Sequence, residues 1–219
     1  MPQVLITGAN RGIGLELARQ YAADGWEVVA TARESNASLE GLGVRVERLD
    51  MRDLDSVAAF GQRIEGELAV VIANAGTNHP GRCETADEAK AWVDMLAINS
   101  VAPFLLAQAL LPKMAKGGKL VAVTSRMGSI GDNKSSGWIP YRSSKAALNA
   151  AWRSLAMDVA PRGLIAVMYN PGWVQTRMGG PSAPLPVGES VAALRAHIAR
   201  LELRDSGRFL ERDGTEIPW

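Results

Sequence analysis

Short apolar runs alternate along the chain with longer segments of helical periodicity. The runs are rich in Val, Ile, Leu and Ala, which is typical of buried parallel strands. They span residues 4–7, 26–32, 44–50, 68–76, 119–125 and 163–170. The alternation predicts an α/β fold over residues 1–219, with a single doubly wound, Rossmann-type parallel sheet and helices on both faces. No internal repeat or linker divides the chain, so one domain is expected.

The segments between these runs carry apolar residues at helical spacing. Helices are predicted over residues 15–24, 53–64, 85–117, 146–160 and 187–203. Asp53 is the expected capping residue of the second helix, and Thr85 or Asp87 that of the third. Residues 206–219 predict one more short strand, followed by a turn at Asp213-Gly214.

A glycine-rich segment, Gly8-Ala9-Asn10-Arg11-Gly12-Ile13-Gly14, joins the first strand to the first helix. Glycines let the backbone turn tightly and approach a pyrophosphate, which the helix N-terminus attracts. The spacing is G-x-x-x-G-x-G rather than G-x-G-x-x-G. A glycine cluster can also be only a turn, but between a strand and a helix it favours nucleotide binding.

The end of the second strand indicates which nucleotide is bound. An NAD site usually places an acid there, whereas this chain has Arg33, and the glycine segment carries Arg11. Two guanidinium groups suit a ribose 2′-phosphate, although both arginines could simply be solvated. Asp50 ends the third strand and could accept a bond from an adenine amino group. The fourth strand ends in Asn74-Ala75-Gly76, where small residues let a cofactor pass close to the backbone.

Tyr141 and Lys145 lie four residues apart, so on a helix they share one face. A cation beside a phenol lowers the pKa of the phenol, which suits a proton donor to a carbonyl. By itself this spacing also fits two surface residues. Ser125 follows the fifth strand, where ligands bind in parallel sheets, but it could equally cap a turn. Asn99 lies among apolar residues of a predicted helix and needs polar partners, as a structural asparagine also would.

Composition narrows the class of protein. The chain has 219 residues, 47% apolar and 21% charged, with a net charge of +1 and mixed signs, so neither a nucleic-acid surface nor a membrane patch is expected. Cys83 is the single cysteine. No signal pattern is seen, no apolar stretch is expected to span a bilayer, and no metal site is expected. A soluble cytoplasmic protein is predicted.

Taken together, these motifs resemble the short-chain dehydrogenase/reductase family over essentially the whole chain. Thr7 to Gly14 matches the family's cofactor loop, and Asp50, Asn74-Ala75-Gly76, Asn99, Ser125, Tyr141, Lys145 and Pro171-Gly172 follow in the family's order. The stretches SRMGSIGDN, YRSSKAALN, NPGWVQTRMGG and DGTEIPW are similar to the C-factor and sniffer-like carbonyl reductase branch.

The resemblance implies a role for each of these residues. Tyr141 would be the acid in reduction and the base in oxidation, and Lys145 would lower its pKa and hold the nicotinamide ribose. Ser125 would bond the substrate oxygen, and Asn99 would hold a water in a proton relay. The cofactor would be NADP(H), bound by Gly8, Asn10, Arg11, Gly12, Ile13, Gly14, Arg33, Asp50, Met51, Asn74, Ala75, Gly76, Tyr141, Lys145, Pro171, Gly172, Val174 and Thr176.

The substrate is expected to be a carbonyl or alcohol. Met127, Trp138, Trp173 and Met178 neighbour the expected catalytic residues and offer apolar and aromatic walls, or else cover the sheet edge. With a short loop over 179–188, they predict apolar or aromatic aldehydes, ketones or quinones. RMGG stands where some relatives carry an acid after the threonine, which leaves substrate identity open.

Other functions remain open beside the oxidoreductase. The C-factor likeness allows a non-enzymatic protein that senses nicotinamide cofactor or signals by contact, although such a sensor needs no proton relay. A methyltransferase on a related fold would not need the Tyr-Lys pair. Relatives commonly form dimers or tetramers through helices corresponding to 85–115 and 141–160, so a homodimer or homotetramer is also open.

Overall fold

The computed structural model describes residues 1–79 and 81–219 and contains a seven-stranded parallel sheet in the order β3-β2-β1-β4-β5-β6-β7. The strands are β1 Gln3–Thr7, β2 Glu27–Ala32, β3 Arg45–Arg48, β4 Leu68–Ala73, β5 Met114–Val123, β6 Ile165–Asn170 and β7 Phe209–Glu211. Strand order reverses at β1, where β2 and β4 pair on opposite sides and the chain winds outward both ways. The doubly wound sheet expected from the sequence is confirmed.

Seven α-helices in the described residues connect the strands. They are α1 Gly12–Ala23, α2 Ala37–Glu40, α3 Leu54–Ala59, α4 Ala86–Leu96, α5 Ala102–Leu110, α6 Ile139–Val159 and α7 Val187–Arg200. The side chain of Asp53 caps α3 as predicted, and Thr85 forms a reciprocal capping box with Glu88 at the start of α4. The short helix α2, which no sequence pattern indicated, begins at a side-chain cap from Asn36.

Two hydrophobic clusters fill the two faces of the sheet. Adjacent residues of β1 belong to different clusters, since Leu5 faces the helices α3, α5 and α6, while Ile6 faces α1 and α7. Trp152 of α6 is fully buried in the first cluster, and Tyr169 of β6 in the second. Burial on both faces explains the continuous apolar strands.

The long helical stretch predicted over residues 85–117 is confirmed from Ala86 to Lys113, but its predicted end is wrong. α4 passes into a π-helical turn, Ala97–Val101, then α5 and a 3₁₀ turn, Leu111–Lys113, after which β5 begins at Met114. Pro112 cannot donate its backbone nitrogen to a continuing helix, and Gly117 adopts a positive φ of 73°. β5 therefore starts five residues earlier than expected.

The expectation that no stretch is long enough to span a bilayer is also wrong for this region. Ala86–Lys113 is a 28-residue helical stretch, long and apolar enough to cross a membrane, and half of its most apolar window is buried inside the protein. Met95, Ile98 and Leu106 are buried, and the segment packs against α3 and α6. Its apolar character is that of a core helix.

Candidate active site

A cleft of about 450 Å³ opens at the carboxyl ends of the central strands, the edge where open parallel sheets bind ligands. The predicted cofactor residues that line it are Gly8, Asn10, Arg11, Gly12, Ile13, Arg33, Asp50, Met51, Asn74, Ala75, Gly76, Tyr141, Lys145, Pro171 and Thr176. Further lining residues, which no sequence pattern marked, are Thr31, Ala32, Leu49, Arg52, Thr77, Asn78, Ile98, Val123, Thr124 and Arg177.

Three predicted cofactor residues lie outside this lining and support it. A Cβ on Gly14 would lie 2.3 Å from the carbonyl oxygen of Gly8, so a side chain there would push the glycine turn apart. Gly172 has a positive φ of 88°, and a Cβ there would approach Leu185 to 2.9 Å. Val174 is a core residue, only 4% exposed. These positions shape the backbone around the cleft.

The glycine turn is held to the end of β4 by a local hydrogen-bond network. Gly8 and Gly12 both have positive φ, at 66° and 54°, which only glycine adopts readily. The Thr7 hydroxyl accepts the backbone N–H groups of Asn74 at 3.0 Å and Ala75 at 2.9 Å. The side chain of Asn74 donates to the Thr7 carbonyl at 2.9 Å. This asparagine therefore braces two strand ends.

The start of α1 fits a pyrophosphate. Arg11 occupies the N-cap position, and its side chain makes no capping hydrogen bond, so the first backbone N–H groups of α1 lack a side-chain acceptor. With the open turn at Gly8 and Gly12, these donors border the cleft. A helix N-terminus in this setting attracts an anion.

Four arginines, Arg11, Arg33, Arg52 and Arg177, line the cleft. None of their guanidinium groups pairs with a carboxylate or makes a hydrogen bond within the described residues. Burial lowers the pKa of Arg11, and the nearby charges of Arg177 and then Arg33 lower it further. The cleft thus holds an excess of positive charge suited to phosphate groups.

At the far end of the cleft, polar side chains shape the turns beyond β2 and β3. One carboxylate oxygen of Asp50 accepts the backbone N–H of Arg52 at 3.0 Å. The amide of Asn10 donates to the Glu34 carbonyl at 3.1 Å, and Asn36 donates to the Asn10 carbonyl at 2.7 Å. Asp50 keeps its second oxygen for the adenine bond, which stays a prediction.

Tyr141 and Lys145 both lie on α6 and line the cleft, as their spacing predicts. The Lys145 Nζ lies 5.9 Å from the centre of the Tyr141 ring and donates to the Val123 carbonyl at 3.0 Å. Lys145 is only 4% exposed, and burial lowers its pKa to about 8.

The pKa of Tyr141 shifts in the direction opposite to the expected one. Burial raises it, and a hydrogen bond with the Ser125 hydroxyl opposes that rise. The ammonium of Lys145 donates to the Val123 carbonyl rather than to the phenol oxygen. The phenol is therefore held in its protonated, donating form.

Ser125 caps a turn, as its position allowed, and also contacts Tyr141. Its hydroxyl caps the 3₁₀ turn Arg126–Gly128 by accepting the Met127 N–H at 3.1 Å. The same hydroxyl reaches Tyr141. It can thus point toward a carbonyl oxygen that Tyr141 protonates, because a hydroxyl carries one donor and two acceptor sites.

Asn99 lies in the π-helical turn, and its side chain uses both of its donor hydrogens and one of its two acceptor sites. Its Oδ1 accepts the Thr77 N–H at 2.8 Å, and its Nδ2 donates to the Thr77 carbonyl at 2.8 Å and to the Ser144 hydroxyl at 3.0 Å. The residue is 1% exposed and does not line the cleft. Its side chain ties the loop after β4 to α6, next to Lys145. The one side-chain site left for a relay water is the second lone pair of Oδ1.

Of the four predicted substrate residues, Met178 lines the cleft. Trp138 lies edge-to-face with Tyr141, with ring centres 6.5 Å apart, and Trp173 is 57% exposed with its indole donating to the Gly179 carbonyl at 2.7 Å. Met127 is half-buried beyond Ser125. Met127 and the two tryptophans are not among the residues that line the cleft, and Trp138 borders it through its contact with Tyr141.

Glu211 of β7 connects the two loops that carry the chemistry. Its carboxylate accepts a hydrogen bond from Asn170, just before Pro171, at 2.7 Å and pairs with Arg126, just after Ser125, at 3.3 Å. No local pattern marked this residue, because its partners are more than 40 positions away in sequence.

Comparison with known proteins identifies the family of this chain. Residues 2–184 match the short chain dehydrogenase family. The chain belongs to this family. It is 42% identical over 160 residues to the C-signal protein of Myxococcus xanthus, covering 70% of this chain and 94% of that one.

Two solved structures extend the likeness over the whole chain. The carbonyl reductase Sniffer of D. melanogaster superposes with a TM-score of 0.92 at 32% identity, covering 100% of both chains. An NADPH-bound carbonyl reductase from chicken fatty liver gives a TM-score of 0.90 at 31% identity, covering 100% of this chain and 94% of the other. The resemblance to the C-factor and sniffer-like branch is confirmed. As a short-chain dehydrogenase, the protein is an oxidoreductase whose cleft binds a nicotinamide cofactor.

Proposed function

We propose that this short-chain dehydrogenase is a cytoplasmic, NADP(H)-dependent carbonyl reductase, working as one domain. The observation that carries the proposal is that Tyr141, hydrogen-bonded to Ser125, and Lys145 line a cleft that also holds unpaired arginines. Arg33 follows the last residue of β2, where an acid would favour NAD, and it lines the same cleft as Arg11. The NADPH bound by the chicken reductase supports the same choice of cofactor.

The protein residues position the substrate and supply the proton. The Ser125 hydroxyl donates to the carbonyl oxygen and fixes it beside Tyr141. Tyr141 then donates its phenolic proton to that oxygen, while bound NADPH supplies the hydride. Lys145, buried beside the phenol, stabilises the phenolate once the proton has left, because its pKa of about 8 lets it carry a charge at neutral pH.

The rim of the cleft favours apolar or aromatic aldehydes, ketones or quinones. Trp138 packs against Tyr141, Met178 lines the cleft, and Trp173 is more than half exposed beside it. Flat, polarisable side chains around an opening gain most from aromatic substrates.

A signalling role through protein contact is the alternative, supported by the likeness to C-signal. The donor arrangement at Ser125 and Tyr141 favours the enzyme, because contact alone requires no buried lysine and phenol. Exposed Val93, Val101 and Met157 on the α4–α6 face support the homodimer or homotetramer, which light scattering would measure.

The test is a panel of aldehydes, ketones and quinones with NADPH and NADH, followed at the nicotinamide absorbance. Tyr141→Phe should retain NADPH affinity and lose turnover by about two orders of magnitude or more, since general acid catalysis contributes about that much. Tyr21→Phe is the matched control, because Tyr21 packs against Trp26 on the other side of the sheet. Near-normal turnover in Tyr141→Phe would overturn the assignment.

A further inference from the structure

The turn over residues 171–178 lies directly on the glycine turn. A Cβ on Gly12 would come within 3.3 Å of the Thr176 methyl group. Gln175 donates its backbone N–H to the Leu185 carbonyl at 2.9 Å, and Leu185 donates to the Trp173 carbonyl at 3.3 Å, so the base of the turn is anchored. Residues at the tip of the turn can therefore contact a ligand bound at the start of α1.

Arg177 is at this tip, next to Thr176, and lines the same cleft as Arg11. Both side chains are exposed, and neither guanidinium has an acidic partner among residues 1–79 and 81–219. Elsewhere, arginines such as Arg126 and Arg195 pair with carboxylates at 2.6 Å. Two unpaired cations that line the same cleft suit a shared anion.

The position of this pair decides which anion is involved. Thr176 touches Gly12, the first residue of α1, where backbone donors lack a side-chain cap. Arg177 directly follows Thr176 and lines the cleft, which places it on the α1 side. The pyrophosphate belongs at the helix start, and a 2′-phosphate belongs near the end of β2.

We propose that Arg177 and Arg11 together bind the pyrophosphate of the nicotinamide cofactor, and that this shared contact holds the 171–178 turn closed over the cleft. The inference rests on the proposed cofactor binding and adds a residue to it. Repulsion between the two cations becomes attraction to a common anion. Trp173 and Met178 belong to the same segment, so cofactor binding also fixes the position of these two predicted substrate-contacting residues.

The first test measures the dissociation constants of NADPH and NADH by nicotinamide fluorescence. Arg177→Gln should weaken both cofactors by the same factor, about tenfold, as expected for one charge-assisted phosphate contact. Arg33→Gln should weaken NADPH alone. Arg204→Gln, which alters an exposed arginine paired with Glu202, is the control and should change neither.

The remaining outcomes of this binding experiment separate failure of this inference from failure of the proposed function. Unchanged affinities in Arg177→Gln, with tight NADPH binding by the parent protein, overturn this inference and leave the proposed function standing. A loss confined to NADPH assigns Arg177 to the 2′-phosphate and overturns the pyrophosphate contact. If the parent binds neither cofactor, the proposed function itself fails.

The second test follows backbone amide exchange of residues 173–178 at saturating cofactor. NADPH should protect these amides in the parent and protect them less in Arg177→Gln, because the turn then loses its contact with the anion. NADH should give the same pattern. Equal protection in the parent and the variant would overturn the proposal that Arg177 holds the 171–178 turn closed.

Discussion

Replacing Lys145 with methionine should stabilise the ligand-free protein at neutral pH while weakening cofactor binding. Lys145 is buried, and burial lowers its pKa from 10.5 to about 8. The unfolded chain therefore binds a proton more readily than the folded protein does. In this case stability rises with pH between the two pKa values, and the penalty is largest below pH 8. Methionine has similar length and carries no charge.

The difference between the two pKa values sets the size of the effect. At pH 7 the penalty is roughly 3 kcal/mol, and at pH 9.5 it falls to roughly 1 kcal/mol. Methionine also loses the hydrogen bond from Nζ to the Val123 carbonyl, which costs about 1 kcal/mol. The expected gain is therefore about 2 kcal/mol at pH 7 and near zero at pH 9.5.

Urea unfolding of the ligand-free proteins at both pH values measures this gain. With an m-value of about 2 kcal/mol/M, the midpoint of Lys145→Met should lie about 1 M above the parent at pH 7 and should coincide with it at pH 9.5. Lys90→Met is the control, because Lys90 is 78% exposed and should change little at either pH. Equal midpoints of parent and Lys145→Met at pH 7 would refute the claim that burial of the Lys145 charge destabilises the ligand-free protein.

Two further predictions concern the site. Asn99→Leu breaks three hydrogen bonds of a buried side chain and should lower the free energy of unfolding by roughly 3 kcal/mol or more. Asn149→Leu is the control and should cost far less, because the buried amide of Asn149 has no hydrogen-bond partner in the described part of the chain. Similar urea midpoints for the two variants would contradict this prediction. Trp138→Ala and Trp173→Ala should raise KM for bulky aromatic carbonyls more than for small aliphatic ones, and a uniform rise in steady-state assays would remove both tryptophans from the rim.

The unpaired arginines, the positioning of Asn99 and the Glu211 bridge needed the tertiary structure. Whether Arg177 has an acidic partner depends on every side chain folded around it, and such pairs carry no local signature. Asn99 was expected to be functional or structural, and its bonds to Thr77 and Ser144 assign its side chain to holding the loop on α6. The direction of the Tyr141 pKa shift also needed the tertiary structure, because desolvation depends on how the side chain is packed and not on its sequence spacing from Lys145.

By contrast, the sequence alone determined the parallel sheet, the glycine turn and the shared helix of Tyr141 and Lys145. Strands buried on both faces form continuous apolar runs. Because helices connect parallel strands, the carboxyl ends of the strands lie at one edge of the sheet, where Gly8 and Thr124 line the same cleft. Tyr141 and Lys145 needed only the four-residue repeat of α6. These features follow from local geometry, whereas the charges and hydrogen bonds of the site depend on contacts between residues far apart in the chain.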